Sequence, residues 1–276
     1  MDTNLLEKLE ESRAIVQKAV EQWTPYATVC MFSGGDDSLT VLHVAQYLGI
    51  PFTHIIFGDT RTGIEQTTNF VRETSEQFDA KYLEADAGGA YASYIARKGF
   101  FGIGRIAHNY SYRVLKATEF RRCVSANIRQ RKRRRNVLFL NGARRMESEN
   151  RMKTMVSPYR CDPAAMGNVW VNIINEWSKA DCLIFLDELG AKRNPVSQLR
   201  HRSDECMCGT MQSKADGDEA AFWYPRWGEW RTEMNKLALT SGFTWSWGED
   251  MPKVQRKTCD KFTPMCTGCQ LKLELL

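Results

Sequence analysis

Apolar residues at Leu5, Leu6, Leu9, Ile15, Val16 and Val20, with charged residues between them, predict an amphipathic helix over residues 4–23 that Pro25 stops. Tyr26–Phe32 is a short, β-prone apolar run and reads as a buried strand. The turn Ser33-Gly-Gly-Asp-Asp-Ser38 follows, then a helical stretch Leu39–Leu48 that ends at Gly49. The pattern repeats with a strand at Phe52–Phe57, a helix at Gly63–Phe78 and a strand at Ala80–Leu83. A basic, helix-rich stretch runs from about Tyr91 to Arg135. Asn136–Leu140 and Val169–Ile174 are further strands, and Asp181–Leu189 is a helix capped by Gly190. Strands alternating with helices predict an α/β fold with a parallel sheet, with ligands at the carboxyl ends of its strands. After Asn194 the apolar strand runs give out and cysteine pairs and tryptophans take over. We therefore expect an α/β nucleotide-binding domain over residues 1–195 and a small, cysteine-rich helical module over residues 196–276.

The remaining composition narrows the class. The chain has 276 residues, 43% of them hydrophobic, with 26% charged and a net charge of +5, which excludes a mainly disordered protein and permits anionic ligands. No apolar stretch is long enough for a transmembrane helix. The opening MDTNLLEKLEESR has neither the basic start nor the apolar core of a signal peptide, so a cytoplasmic location is expected. In a leaderless chain of this length, nine cysteines point to metal binding or catalysis rather than disulfides.

The sharpest chemical signal is Ser33-Gly34-Gly35-Asp36-Asp37-Ser38, placed where a strand feeds a helix. The glycines admit close approach of an anion, and the helix N–H groups with the two serine hydroxyls make a phosphate site. It is not a Walker A loop, because no Gly-Lys-Ser/Thr follows. It resembles the SGGxDS PP-loop of the ATP pyrophosphatase superfamily. Asp37 matches that family's loop aspartate, and an ATP-bound Mg²⁺ takes hard oxygen ligands of this kind. Asp36 stands where relatives often carry lysine, so Arg144 and Arg145 are candidates to supply the missing cation.

Two further segments extend the resemblance toward the PAPS-reductase-like branch. Asp59-Thr60-Arg61-Thr62-Gly63 is similar to an element that lines the nucleotide pocket there. Gly142-Ala-Arg144-Arg145-Met-Glu147-Ser148-Glu-Asn-Arg151 resembles that branch's G-x-R-x-x-E-S-x-x-R segment, whose guanidinium groups suit phosphate or sulfate oxygens. Glu147 is placed to hold an arginine. Trp177-Ser-Lys-Ala-Asp181 and Asn194-Pro195 resemble later landmarks, so the likeness spans about residues 25–210.

The cysteines fall into two groups. Cys206 and Cys208 with Cys266 and Cys269 form a C-x-C plus C-x-x-C set of soft ligands for an iron–sulfur cluster or Zn²⁺, with Cys259 as a substitute. The resemblance favours a [4Fe-4S] cluster, while the spacing leaves zinc open. Cys123 follows Arg121 and Arg122, which are expected to lower its pKa and suit it to sulfur relay; an inert buried thiol is the equal alternative. The run Arg129, Arg131–Arg135 is read either as a solvated face or as a contact for a phosphate backbone, DNA before tRNA. Trp223, Trp227 and Trp230, at helical spacing, are expected in the core.

By this resemblance, closest to the ATP-pyrophosphatase components of DNA phosphorothioation systems, the protein would adenylate an acceptor oxygen with loss of pyrophosphate. Asp37, Ser38, Arg144, Arg145 and Cys123 would serve catalysis, and sulfur would come from a donor such as a cysteine desulfurase. The alternatives are reduction of PAPS or adenylyl sulfate, tRNA thiolation and nucleotide sensing. The tail lacks the E-C-G-x-H element of assimilatory reductases, which counts against simple PAPS reduction.

Overall fold

The computed structural model describes residues 1, 3–128, 136–161 and 167–252. The run Arg129, Arg131–Arg135 and the cysteines Cys259, Cys266 and Cys269 lie outside the described residues. Helix α1 (Thr3–Trp23) leads into β1 (Ala27–Met31), α2 (Asp36–Tyr47), β2 (His54–Asp59), α3 (Glu65–Ser75) and β3 (Lys81–Asp86). Then come α4 (Ala90–Lys98) and one nearly continuous helix made of α5 (Arg105–Tyr112), a π-helical turn (Arg113–Ala117) and α6 (Thr118–Asn127). Strand β4 (Val137–Asn141) is followed by α7 (Glu149–Thr154), β5 (Tyr159–Cys161), β6 (Asn168–Asn172) and α8 (Lys179–Glu188). Helices α9 (Pro195–Arg200), α10 (Lys214–Trp223) and α11 (Pro225–Thr240) complete the described chain.

The six strands form one sheet in the order β3-β2-β1-β4-β6-β5, parallel except for β5, which runs antiparallel on the edge. The five parallel strands are those expected from the apolar runs. Strand β5 was not foreseen: it is three residues long, two of them exposed, and leaves no apolar signature. Because β1 has β2 on one side and β4 on the other, the segments after β1 and β4 meet at the sheet's topological switch point, where open α/β sheets bind ligands.

Three cores hold this arrangement. On one face, Leu5, Leu9 and Val16 of α1, Leu42 of α2 and Phe185 of α8 pack against the sheet, each such buried side chain contributing about 1.5–3 kcal/mol. On the other, Phe120 and Val124 of α6 cover Val29, Ile56 and Phe139. The third joins Tyr91, Ile95, Phe100 and Leu115 to Met207, Trp227 and Trp247, so that the chain after residue 200 packs on the α4–α5 region. Trp227 lies in the core as its spacing predicts, whereas Trp223 stands 48% exposed beside Phe222. Among the described residues, no helix is long and apolar enough to cross a membrane.

Candidate active site

The loop after β1 is shaped by its own side chains. Gly34 has φ +78°, and a Cβ there would lie 2.9 Å from side-chain carbons of Thr67 and Val71, so both backbone and space require glycine. The Ser38 hydroxyl accepts from the Ser33 N–H at 3.1 Å and donates to the Gly35 carbonyl at 2.9 Å. Asn194 clamps the loop from outside: its Nδ2 donates to the Gly34 carbonyl at 2.9 Å and to Thr67 Oγ1 at 3.0 Å, while its Oδ1 caps α9. No side chain caps α2, which leaves the first-turn N–H groups for an anion.

Two cavities meet at this loop. A polar one of about 430 Å³ is walled by Ser33, Asp37, Gly142, Arg151, Lys179 and Arg202. A more apolar one of about 260 Å³ lies between Phe57, Gly58, Tyr112, Phe120 and Trp170. Both are bounded by Ser33, Ser38, Asn141 and Glu205, so they are halves of one cleft. A polar half at a phosphate loop and an aromatic half beside it match the two ends of a nucleotide.

The loop carboxylates differ in exposure. Asp36 is buried and held by both arms of Arg193, at 2.9 and 3.0 Å, with Lys179 at 3.1 Å. Burial alone would push its carboxyl up, but the Arg193 hydrogen bond and the Lys179 charge hold it below the ordinary range. Asp37 lines the cavity between Arg144 at 3.0 Å and Lys179 at 3.0 Å. Both loop carboxylates are thus paired with two cations, and Asp37 is the more exposed of them, at 23% against 5%.

Arg151, Lys179 and Arg202 are the cations on the cavity wall, and of these Lys179, which sequence reasoning missed, pairs with both loop aspartates. Ser178 and Asp181 form a capping box, and Trp177 Nε1 bonds Ser12 Oγ at 3.1 Å, so the start of α8 is fixed with Lys179 beside the loop. The capping pattern Ser-x-x-Asp was the available signal. Arg144, expected as a substitute cation for the phosphates, is buried and pairs with Asp37, and Arg145 turns away to Glu176 at 3.2 Å. Glu147 does hold an arginine, Arg151. Gly142 is a packing necessity, since a Cβ there would come within 2.9 Å of the Asp37 carbonyl carbon and oxygen. We predict that Gly142→Ala, by forcing the loop backbone to shift, weakens nucleotide binding about tenfold or more, equivalent to about 1.4 kcal/mol, and also lowers the melting temperature; titration calorimetry and thermal unfolding check this.

Asp59 and Thr60 are buried and face a neighbouring segment. Asp59 Oδ1 accepts from the Arg61 N–H at 2.8 Å, and burial pushes its carboxyl up. Thr60 Oγ1 donates to the Glu205 carbonyl at 3.1 Å, and Thr62 Oγ1 accepts from the Met207 N–H at 3.0 Å. A Cβ on Gly63 would lie 2.5 Å from the Glu205 carbonyl oxygen. This landmark thus seats the segment around Ser203–Met207, and the cleft is lined one residue earlier, at Gly58.

Cys206 and Cys208 adjoin each other just beyond Glu205. The Cys206 hydrogen bond, opposed by burial and helped by the Thr210 and Ser111 hydroxyls, holds the Cys208 thiol below its ordinary range, while Cys206 is raised. Paired sulfurs with one favoured as thiolate fit half of a soft-metal set. Among the described residues no group of three or more potential ligands forms, and the remaining two expected ligands, Cys266 and Cys269, fall outside them. Cys123 is elsewhere, half-buried on α6 against the sheet face that Phe120 and Val124 cover, beside Asn127. The expected lowering of its pKa is not observed: burial pushes the thiol up, and Arg122 is bound to Glu119 at 2.6 Å instead.

Over residues 27–212 the sequence matches the phosphoadenosine phosphosulfate reductase domain family, and the chain belongs to that family. It is accordingly an enzyme of the PP-loop superfamily, with the adenine-nucleotide fold that the switch-point loop implies. Among solved structures it is similar to phosphoadenylyl-sulfate reductase from Candida auris, at 16% identity over 68% of this chain and 84% of that one, TM-score 0.48. It is also similar to NH3-dependent NAD synthetase from Campylobacter jejuni, at 14% identity over 87% and 92%, TM-score 0.49. A third is FMN adenylyltransferase from Candida glabrata, at 16% identity over 66% and 57%, TM-score 0.41, so the chain spans little more than half of that protein. No curated protein matches the sequence significantly.

Proposed function

We propose that the cleft binds an adenosine nucleotide with its 5′ phosphoryl chain on Ser33–Ser38 and its base toward Tyr112, Phe120 and Trp170, and that it reduces an adenosine phosphosulfate. The observation that carries this reading is the joined polar and aromatic cleft at the loop of a chain whose family match covers residues 27–212. A thiolate attacks the sulfonate sulfur, the bond from sulfur to the phosphate oxygen breaks, and the adenosine phosphate leaves. A second thiolate then attacks the first thiol's own sulfur, the bond from that sulfur to the sulfonate sulfur breaks, a disulfide forms and sulfite departs with the bonding pair, so two thiols supply the two electrons. The loop N–H groups, Lys179 and Arg151 would hold the phosphate and stabilise the charge it gains on leaving. A divalent cation on Asp37 would add to that neutralisation. An iron–sulfur cluster or zinc ion on Cys206 and Cys208, completed by Cys266 and Cys269, would fix the segment that carries Glu205. The attacking thiols would come from thioredoxin or, for one of the two, from Cys259, which that metal set does not use.

A second reading is supported by the absence of any described cysteine from the lining of the cleft, since attack on the α-phosphorus of ATP needs no protein thiol there. In it an acceptor oxygen, of a DNA backbone phosphate by the sequence resemblance or of tRNA, displaces pyrophosphate, and delivered sulfur then displaces AMP. Parallel assays separate the two. Sulfite released from an adenosine phosphosulfate in the presence of thioredoxin is the expected result. Pyrophosphate released from ATP with no sulfite would replace the first reading by the second, and neither product would defeat both.

A further inference from the structure

Between Ala87 and Ile128 the only acidic side chain is Glu119, set against seven lysines and arginines. That stretch carries net +6, more than the +5 of the whole chain, so the rest of the molecule is close to neutral. Charge concentrated this way is a property of a surface rather than of a fold. The helix α5–α6 displays it: Arg105, Arg113, Arg121 and Arg122 are all exposed. Arg122 pairs with Glu119, but Arg105, Arg113 and Arg121 make no ion pair among the described residues. Several exposed or half-buried arginines elsewhere are neutralised, as Arg61 is by Asp86, Arg72 by Glu84 and Arg231 by Asp218.

Apolar and aromatic side chains are interleaved with these cations. Ile106 is 88% exposed, and Tyr110 and Tyr112 are 50% and 43% exposed. Tyr112 also lines the aromatic half of the cleft, which joins this face to the phosphate loop. The π-helical turn follows directly: Lys116 on it is turned in to Glu205 at 2.7 Å, while Arg113 stays in solvent.

We propose that the α5–α6 face binds nucleic acid, with the phosphates of a polynucleotide passing over Arg105, Arg113 and Arg121 and the strand reaching the cleft past Tyr112. Unpaired guanidinium groups suit phosphodiester oxygens, and an exposed tyrosine at the cleft mouth offers a stacking surface for a base. Binding on this face is independent of which of the two reactions the cleft performs.

The test is fluorescence anisotropy of the full chain, without nucleotide, using short labelled DNA and RNA oligonucleotides over a range of salt. Binding that weakens linearly in log salt is expected, and the tighter of the two probes identifies the natural polymer. The double variant Arg113→Glu/Arg121→Glu should bind about tenfold or more weaker, with a salt slope shallower by about 1.5. Lys18→Glu, on the far helix α1, should bind as the unaltered protein does, and circular dichroism of both variants controls for folding. Unchanged affinity in the folded double variant would overturn the proposal. So would binding to vesicles containing anionic lipid with none to either oligonucleotide.

Discussion

Asp37→Asn should lower turnover by about 10²–10³-fold while the protein stays folded, the scale seen when one preorganised charge is removed from a reacting phosphoryl group. Asp37 is the more exposed of the two loop carboxylates that border the cleft, and it sets the positions of two cations, Arg144 and Lys179, each 3.0 Å away. Asparagine keeps the shape and still accepts from Arg144, so the stability cost is about 1–3 kcal/mol. What is lost is the charge that fits a divalent cation and fixes Lys179 against the bound phosphate. Asp36→Asn makes the contrast. Asp36 also borders the polar cavity, but it is almost fully buried and held by Arg193 and Lys179, so its substitution should act mainly on stability. Thermal unfolding and steady-state rates measured on both variants check the division. Full turnover by Asp37→Asn would remove Asp37 from the chemistry.

Lys116→Met should lower the melting temperature by roughly 5–15 °C. Its ammonium lies 2.7 Å from Glu205, in a pair whose side chains are only 24% and 21% exposed. Burial by itself would push the Glu205 carboxyl up, but the Lys116 charge wins and holds it below its ordinary range. Removing the lysine leaves a largely desolvated carboxylate without its cation, a loss of about 2–4 kcal/mol. At about 2–4 °C per kcal/mol for a chain of this size, the shift follows. The sign of the pH dependence is fixed. In the unaltered protein the pair contributes fully above the ordinary glutamate range and is lost as pH falls through the lowered pKa. In Lys116→Met, protonation of Glu205 relieves the unpaired charge, so the deficit should shrink toward acid pH. Lys116→Met/Glu205→Gln should recover most of the stability at neutral pH. A double variant as unstable as the single one would show that the ion pair is not what holds this segment.

The strands and the loop were legible because their causes are local. Apolar runs bounded by glycine mark buried parallel strands, and Ser33–Ser38 carries its own reason for glycine in the positive φ of Gly34. Strand β5 was illegible because it forms only by pairing with β6, without an apolar run of its own. The cation at Lys179 was hidden because a single lysine after Trp177-Ser178 gains meaning only when α8 is placed beside the loop. Lys116 and Glu205 are separated by most of a hundred residues and meet only in space. Cys123 shows the opposite failure. Arginines adjacent in sequence need not face the thiol on a helix, and here Arg122 turns to Glu119 while the sulfur turns inward.

Crystals grown with an adenosine phosphosulfate or a non-hydrolysable ATP analogue would test the central claim most directly. We expect the phosphates within hydrogen-bond reach of the N–H groups of Gly35–Ser38 and of Lys179, with the adenine against Tyr112, Phe120 or Trp170. Phosphates bound away from that loop, with the space above Ser33–Ser38 filled by solvent, would contradict it.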